Sequence, residues 1–363
     1  VTRAAPKANY YGLILAGGRG TRFWPKSRRR FAKQVMTILG DRSLIQSTLD
    51  RLRPLIAPDR MWVITNDYLR DEIARQLPEI PKRQILAEPA QRNTAPAIGL
   101  VAHILNSLDP GTVMGVFPSD HVVSKPERYR QLLRPAFRAA EKGAIAVLGI
   151  QPRWAETGYG YIEFPDETRP GALAAVPVRS FREKPEVAKA QEYIDAGRFY
   201  WNAGMFFFRP AVLLAELRRH LPRTATLLSS LPKFSSRRFP SAMAGVFPKC
   251  ENISIDFAVL EKAANVSGVA CDDIGWNDVG SWNAVYELQA RDGSANALPP
   301  GAIALASEGN FVDVRGKTIA LLGVNDLVIV DTPDALLIAG RKRAQEVGTL
   351  VKMLEKAGRD DLL

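Results

Sequence analysis

Residues 16–34 read AGGRGTRFWPKSRRRFAKQ and follow a short apolar run, YGLIL. That order suits either of two things, a site for an anion or an ordinary glycine-rich turn, which is common after a strand. An apolar strand ends, and Gly17, Gly18 and Gly20 let backbone N–H groups converge without Cβ obstruction. Arg19, Arg22 and Lys33 offer charge-assisted bonds to phosphate oxygens. The stretch matches neither named phosphate loop: G-x-x-x-x-G-K-[ST] is absent, and a dinucleotide G-x-G-x-x-G fails at Phe23. Lys26, Arg28, Arg29 and Arg30 read as a solvated basic face that steers substrates. Phe23-Trp24-Pro25 reads as an apolar patch that packs the loop down.

Asp120 closes the apolar run of VFPSD, and Asp278 sits in GWNDVGSW. An aspartate at the end of a strand either faces a ligand at the sheet edge or simply forms a turn. The formal net charge of +11 favours an anionic partner: nucleic acid, an anionic membrane or a phosphorylated small molecule. No RNA- or DNA-binding motif accompanies the RRRF run, which argues against nucleic acid. His103, His121 and His220 are too scattered to suggest a metal cluster. Cys250 and Cys271 give neither a disulfide framework nor a zinc spacing. No apolar run approaches the roughly 20 residues that span a bilayer, and VTRAAPKANY has no leader-like apolar segment. A cytoplasmic protein that binds no membrane is the expectation.

The elements that must position these residues alternate along the first half. Tyr11–Leu15, Met61–Thr65, Gln84–Pro89, Thr112–Asp120 and Ala144–Ile150 read as buried strands. Helical patterns fall between them at Leu44–Leu52, Leu69–Gln76, NTAPAIGLVAHIL and Arg128–Glu141. This predicts an α/β fold: a Rossmann-like, mostly parallel mixed sheet with its ligands beyond the carboxyl ends of the strands. After residue 150, YGYIEF, AVPVRSFREKP and FYWNAGMFFFRP read as strands added at one side, with a helix over Val187–Gly197. Further helices are expected at Ile253–Ala263 and Ser281–Arg291. From about Ala302 to Ile338, short apolar runs broken by Gly and Asp suit a small β unit, closed by a helix over Arg341–Ala357. The division is placed near residue 293, giving units 1–293 and 294–363.

Taken whole, LILAGGRGTRFWPKS…KQ resembles the signature of the sugar-nucleotide pyrophosphorylases, and Phe-Trp-Pro-x-Ser resembles their mannose-1-phosphate guanylyltransferase branch. AEPAQRNTAPAI, FPSDHVV, TGYGYIEF, REKP, WNAGMFFFRP, SIDFAVLEKA and DIGWNDVGSW extend the resemblance over nearly the whole chain. One departure is visible: Ala32 precedes Lys33-Gln34 where the family usually has Pro.

The resemblance implies a nucleotidyltransferase fold with a C-terminal β-helix-like unit. The implied reaction is GTP plus mannose 1-phosphate giving GDP-mannose and pyrophosphate by direct in-line attack. The nucleophile is already ionised, because a phosphate monoester has its second pKa near ~6, so no catalytic base is required. Ala16, Gly17, Gly18, Gly20, Thr21 and Ser119 would surround the nucleotide. Arg22 would stabilise charge on the leaving pyrophosphate, and Lys33 would bridge the reacting phosphates. Asp120 and Asp278 would hold Mg²⁺, which takes few protein oxygens alongside substrate phosphates.

Glu88, Asn93 and Thr94 lie where the resemblance puts nucleotide contacts. A carboxylate at Glu88 can accept from guanine N1–H and N2–H₂ together, which adenine cannot match; Asn93 and Thr94 equally suit a helix cap. Gly158, Tyr159 and Gly160 would let a sugar approach the backbone. Glu183 and Lys184 offer a carboxylate to sugar hydroxyls and an ammonium to the sugar phosphate, or a salt bridge to each other. Asn202 can donate and accept, and Asp256 reads as a sugar ligand or as a helix cap. A homodimer is the expected assembly. The competing readings are a pyrophosphorylase for another sugar 1-phosphate or nucleotide, and a catalytically silent ligand-sensing relative.

Overall fold

The computed structural model describes residues 9–363; residues 1–8, part of the stretch read as lacking a leader, lie outside it. β1 (Tyr10–Leu15), β2 (Met61–Asn66), β3 (Ile85–Glu88) and β4 (Val113–Pro118) stand side by side in the order β3-β2-β1-β4, all parallel. Their Val, Ile and Leu runs are buried on both faces, as parallel strands require. Crossover helices α1 (Leu44–Leu52), α2 (Asp67–Gln76), α3 (Thr94–Leu108) and α4 (Pro126–Glu141) cover those faces. Their starts follow from local sequence. Ser43 and Gln46 form a reciprocal capping box on α1, and Asn66 caps α2 through Leu69 N–H.

Beyond β4 the structure departs from expectation. The segment FYWNAGMFFF does not add at one side. As strand Phe199–Phe208 it runs antiparallel through the middle of the sheet, between β4 and Ile145–Ile150. Nearly every residue in it is buried, because a central strand is covered on both faces. The helix expected over Ile253–Ala263 is reduced to a π-helical turn, Asp256–Leu260, and Ser281–Arg291 to a helix over Trp282–Leu288.

The C-terminal strands stack at a fixed offset. Ile303–Leu305 pairs in parallel with Ala320–Leu322, and Phe311–Asp313 with Leu327–Asp331. Buried Asn296 and Asn310 bind each other and the backbone between these coils, the β-helix-like arrangement expected here. A 3-10 turn, Arg341–Glu346, and a helix, Val347–Lys356, replace the single expected helix.

Candidate active site

A cavity of about 500 Å³ opens at the carboxyl ends of β1, β3 and β4. Gly17 and Gly18 form one wall. Gln34 fixes their path: its Nε2 donates to the Ala16 carbonyl at 2.8 Å and to the Gly18 carbonyl at 3.0 Å. Gly20 serves a different purpose. It sits in the left-handed region at φ 62°, and a Cβ there would come within 2.8 Å of the Lys33 backbone nitrogen and Cβ. Gly20 is therefore glycine so that the Lys33 segment can close against it.

Ala16, Gly20, Thr21, Arg22 and Lys33 do not line the cavity. Ala16 is buried, with its carbonyl taken by Gln34 and Thr65. Thr21 faces Gly348 of the C-terminal helix, and Arg22 is exposed. The basic run also differs from a solvated face. Lys26 pairs with Asp313, Arg28 with Asp334 at 2.9 Å, Arg29 with Asp360 at 3.0 Å, and Arg19 with Glu355. Acids of the C-terminal unit neutralise these cations, and Arg30 alone of the four remains exposed and unpaired among the described residues. Phe23 and Trp24 pack the loop down as expected, with Phe23 edge-on to Trp282 at 5.1 Å between centroids.

Opposite the glycines, folding brings Asp120 and Asp278 to one ammonium. Lys33 Nζ donates to Asp120 Oδ2 at 2.9 Å and to the Asp278 carbonyl at 2.6 Å. Burial would raise the Asp120 carboxyl, but Lys33 and His121 outweigh it and hold the group below the usual carboxylate range. His121 accepts from Trp276 Nε1 through Nδ1 at 3.2 Å, and burial pushes its imidazole down to about 4. It is a neutral ring at physiological pH. Burial and the Asp278 carboxylate raise the Tyr159 hydroxyl well above its ordinary value.

Glu88, Gln91, Asn93 and Thr94 form a second end of the cavity with Ser119. Burial pushes Glu88 up to about 8, and its Oε1 is buried without a hydrogen-bond partner. Asn93 caps α3 by accepting from Thr94 N–H at 2.8 Å. Thr94 is the first residue of α3, and its Oγ1 accepts from Ile255 N–H at 2.9 Å, so Asn93 alone caps the helix while both line the cavity.

The third end gathers Gly158, Tyr159, Gly160, Glu183, Asn202 and Asp256. The register of Phe199–Phe208 shifts between Asn202 and Phe206, and this bulge, with Gly204 at φ 64°, turns Asn202 toward the cavity. Asn202 Nδ2 donates to Asp256 Oδ1 at 2.9 Å. Burial, then neighbouring Glu183, pushes Asp256 up to about 7. Asp256 lies inside the π turn and so is not the side-chain cap considered for that segment. Glu183 Oε2 is a second buried, unpartnered oxygen. Lys184 is outside the lining; it is exposed and donates to Glu183 Oε1 at 2.8 Å.

Sequence reasoning gave no ligand role to Gln34, Gln91 or Trp276, which also line the cavity. Gln34 carries a signal, its place beside Lys33; the others carry none. The donor set fits a hard divalent cation: carboxylate and carbonyl oxygens of two aspartates already gathered around a cation, the Lys33 ammonium.

Comparison with known proteins shows the family. Residues 11–294 match the nucleotidyl transferase family model, and residues 301–354 match a MannoseP isomerase/GMP-like beta-helix domain. The chain belongs to the nucleotidyl transferase family. Within that family it lies on the mannose-1-phosphate guanylyltransferase branch. It is 36% identical to a mannose-1-phosphate guanylyltransferase of Escherichia coli, over 96% of this chain and 74% of that protein. It is 37% identical to the alginate biosynthesis protein AlgA of Pseudomonas aeruginosa, over 96% of this chain and 73% of that one. A crystal structure from Thermus thermophilus, described as a mannose-1-phosphate geranyltransferase, superposes with a TM-score of 0.83 at 35% identity. That match covers 96% of this chain and 99% of the other, and it bears on the fold. Nucleotidyltransferases of this kind generally use a divalent metal.

Proposed function

We propose that this chain transfers GMP from GTP to mannose 1-phosphate, releasing pyrophosphate and GDP-mannose. One observation carries the reading: Gly17, Gly18, Asp120 and Asp278 line one cavity, Lys33 binds both aspartates, and Glu88 and Glu183 each bring that cavity a buried carboxylate oxygen without a donor. A phosphate oxygen of the sugar phosphate attacks the α-phosphorus. The new O–P bond forms as the bond to the β-phosphate oxygen breaks, and pyrophosphate leaves with that electron pair. No group needs to remove a proton from the nucleophile, in keeping with a neutral His121.

The protein's task is to position and neutralise. Backbone amides of Gly17 and Gly18 face the triphosphate, and Lys33 serves the reacting phosphates. Arg22, at the exposed start of the loop, is assigned to the leaving pyrophosphate. Ionised Glu88 accepts from guanine N1–H and N2–H₂, with Asn93, Thr94 and Ser119 around the nucleoside. Glu183, Asn202 and Asp256 take the sugar hydroxyls, and the Gly158–Gly160 backbone admits the ring. Lys184 is assigned to the sugar phosphate, which requires it to leave Glu183. Asp120 and Asp278 hold the divalent ion, which we take to be Mg²⁺. When bound, it offsets charge on the phosphates as a Lewis acid.

We place the division between the units near residue 293. A homodimer is supported by exposed Ile303, Leu305, Leu322, Leu336 and Ile338 on the C-terminal strands. The deciding experiment measures pyrophosphate release with Mg²⁺ across a matrix of nucleoside triphosphates and sugar 1-phosphates. GTP with mannose 1-phosphate is expected to give the highest kcat/KM. A different preferred pair would replace the substrate assignment, and no release with any pair would revive the ligand-sensing reading.

A further inference from the structure

Lys33, assigned above to the reacting phosphates, is bound to the protein's own oxygens in this structure. Its side chain is 8% exposed, and both strong bonds of its ammonium go to the residues assigned to the metal. The stem is held in place by the close approach of Gly20, and Nζ lies 5.5 Å from the Phe23 ring centroid. Among the described residues, the other ion-pair candidate for Asp120 is His121, at 4.0 Å. Lys33 is thus the cation that offsets Asp120 at this end of the cavity.

An ammonium and a divalent ion make the same demand on a carboxylate: both take its oxygen lone pairs as a compact positive charge. Asp120 Oδ2 cannot serve both at full strength. We propose that Lys33 is the resident counter-cation of the metal-free site and that the divalent ion replaces it at Asp120, releasing the ammonium toward the phosphates. The inference rests on reading Asp120 and Asp278 as the metal site. It gives that reading an order of events. Before nucleotide arrives, Lys33 opposes metal binding; once phosphates offer it another anion, that opposition falls. Metal and nucleotide therefore bind with positive coupling, each strengthening the other.

The test is Mn²⁺ titration of nucleotide-free protein, with free ion followed by electron paramagnetic resonance, for wild type, Lys33→Met and Asp120→Asn. The methionine keeps the buried stem and removes the charge. It is expected to bind Mn²⁺ about fivefold more tightly than wild type, the scale of one partly exposed ion pair. Asp120→Asn is expected to bind weakly. Equal or weaker binding by Lys33→Met, with Asp120→Asn impaired, overturns the exchange and leaves the metal site standing. Wild-type affinity in Asp120→Asn overturns the metal site itself. Should Lys33→Met fail to fold, wild-type crystals soaked in Mn²⁺ without nucleotide decide the matter. Anomalous density at Asp120 with Lys33 Nζ moved out of hydrogen-bond reach supports exchange; density there with Nζ still at 2.9 Å from Oδ2 refutes it.

Discussion

The indole N–H of Trp24 donates to the backbone carbonyl of Leu362 at 3.0 Å, tying the glycine loop to the last turn of the chain. The carbonyl of Trp24 is held in turn by Trp282 Nε1 at 3.1 Å, four residues beyond Asp278. One residue therefore links the glycine loop, the Asp278 segment and the C-terminal unit, its side chain to one and its backbone carbonyl to the other. Phe23, Trp24, Val279, Trp282, Val347 and Val351 share one apolar cluster.

Trp24→Phe tests that link. It keeps an aromatic ring and leaves the Leu362 carbonyl without its donor. Stability is expected to fall by about 1 kcal/mol, the usual worth of one buried hydrogen bond. The KM for GTP should rise several-fold as the loop loosens, while the KM for mannose 1-phosphate stays within twofold. Unfolding in urea and steady-state kinetics measure the two effects. An unchanged KM for GTP would mean the C-terminal turn does not position the loop.

Glu88 makes a pH prediction. Burial raises its carboxyl to about 8, so the folded, ligand-free protein keeps it neutral where the unfolded chain ionises it. The unfolded state then binds fewer protons, and stability falls as pH climbs from about 4.5 to 8. Glu88→Gln removes this slope and should be more stable than wild type at pH 8 by up to about 4 kcal/mol, but not at pH 4.5. Guanine selection requires the ionised form, so wild-type kcat/KM for GTP should rise with pH toward that value. The amide presents one acceptor and one donor, which suit adenine N6–H and N1. Discrimination against ATP should therefore drop about 100-fold in the variant. Retained discrimination would move base selection elsewhere.

Gly160 explains how Glu183 comes to face the cavity. A Cβ at that position would overlap Glu183 Oε2, so the missing side chain is what admits the carboxylate. Gly160→Ala is expected to raise the KM for mannose 1-phosphate at least ~10-fold, the loss of one good hydrogen bond to a charged group. GTP binding, measured alone by calorimetry, should be unchanged. Equal damage to both ligands would show that the sugar and nucleotide ends are not separable.

The glycine loop is legible in the sequence because its glycines and cations lie in one stretch after an apolar strand. Glu88, Asp120 and Asn93 are legible for a related reason: they follow runs that read as strands, and the carboxyl ends of parallel strands meet at one edge. What could not be read is contact between distant segments. Arg28 and Asp334 are 306 positions apart, and Lys26 and Asp313 are 287 apart, so local charge suggested a free basic face where the fold makes ion pairs. The central place of Phe199–Phe208 is hidden likewise. An all-apolar run states that both faces are covered, but not which strands flank it.

Ala32 is the position where the chain departs from the usual proline before Lys-Gln, and the backbone there is already what proline would impose. Its φ is −82° and ψ 168°, close to the proline range, and its carbonyl accepts from Val35 N–H at 3.0 Å, a bond proline can keep. Among the described residues, no backbone acceptor is bound by the Ala32 N–H. Ala32→Pro should therefore restrict only the unfolded chain and add about 0.4–1 kcal/mol of stability. Because the loop is held by Gln34 and Trp24 in either case, kcat is expected to stay within twofold. Denaturation midpoints and steady-state rates check this together. A lower midpoint would mean the buried pocket around Ala32 cannot admit the ring, and a higher kcat would mean the alanine loop samples unproductive conformations that these side chains fail to suppress.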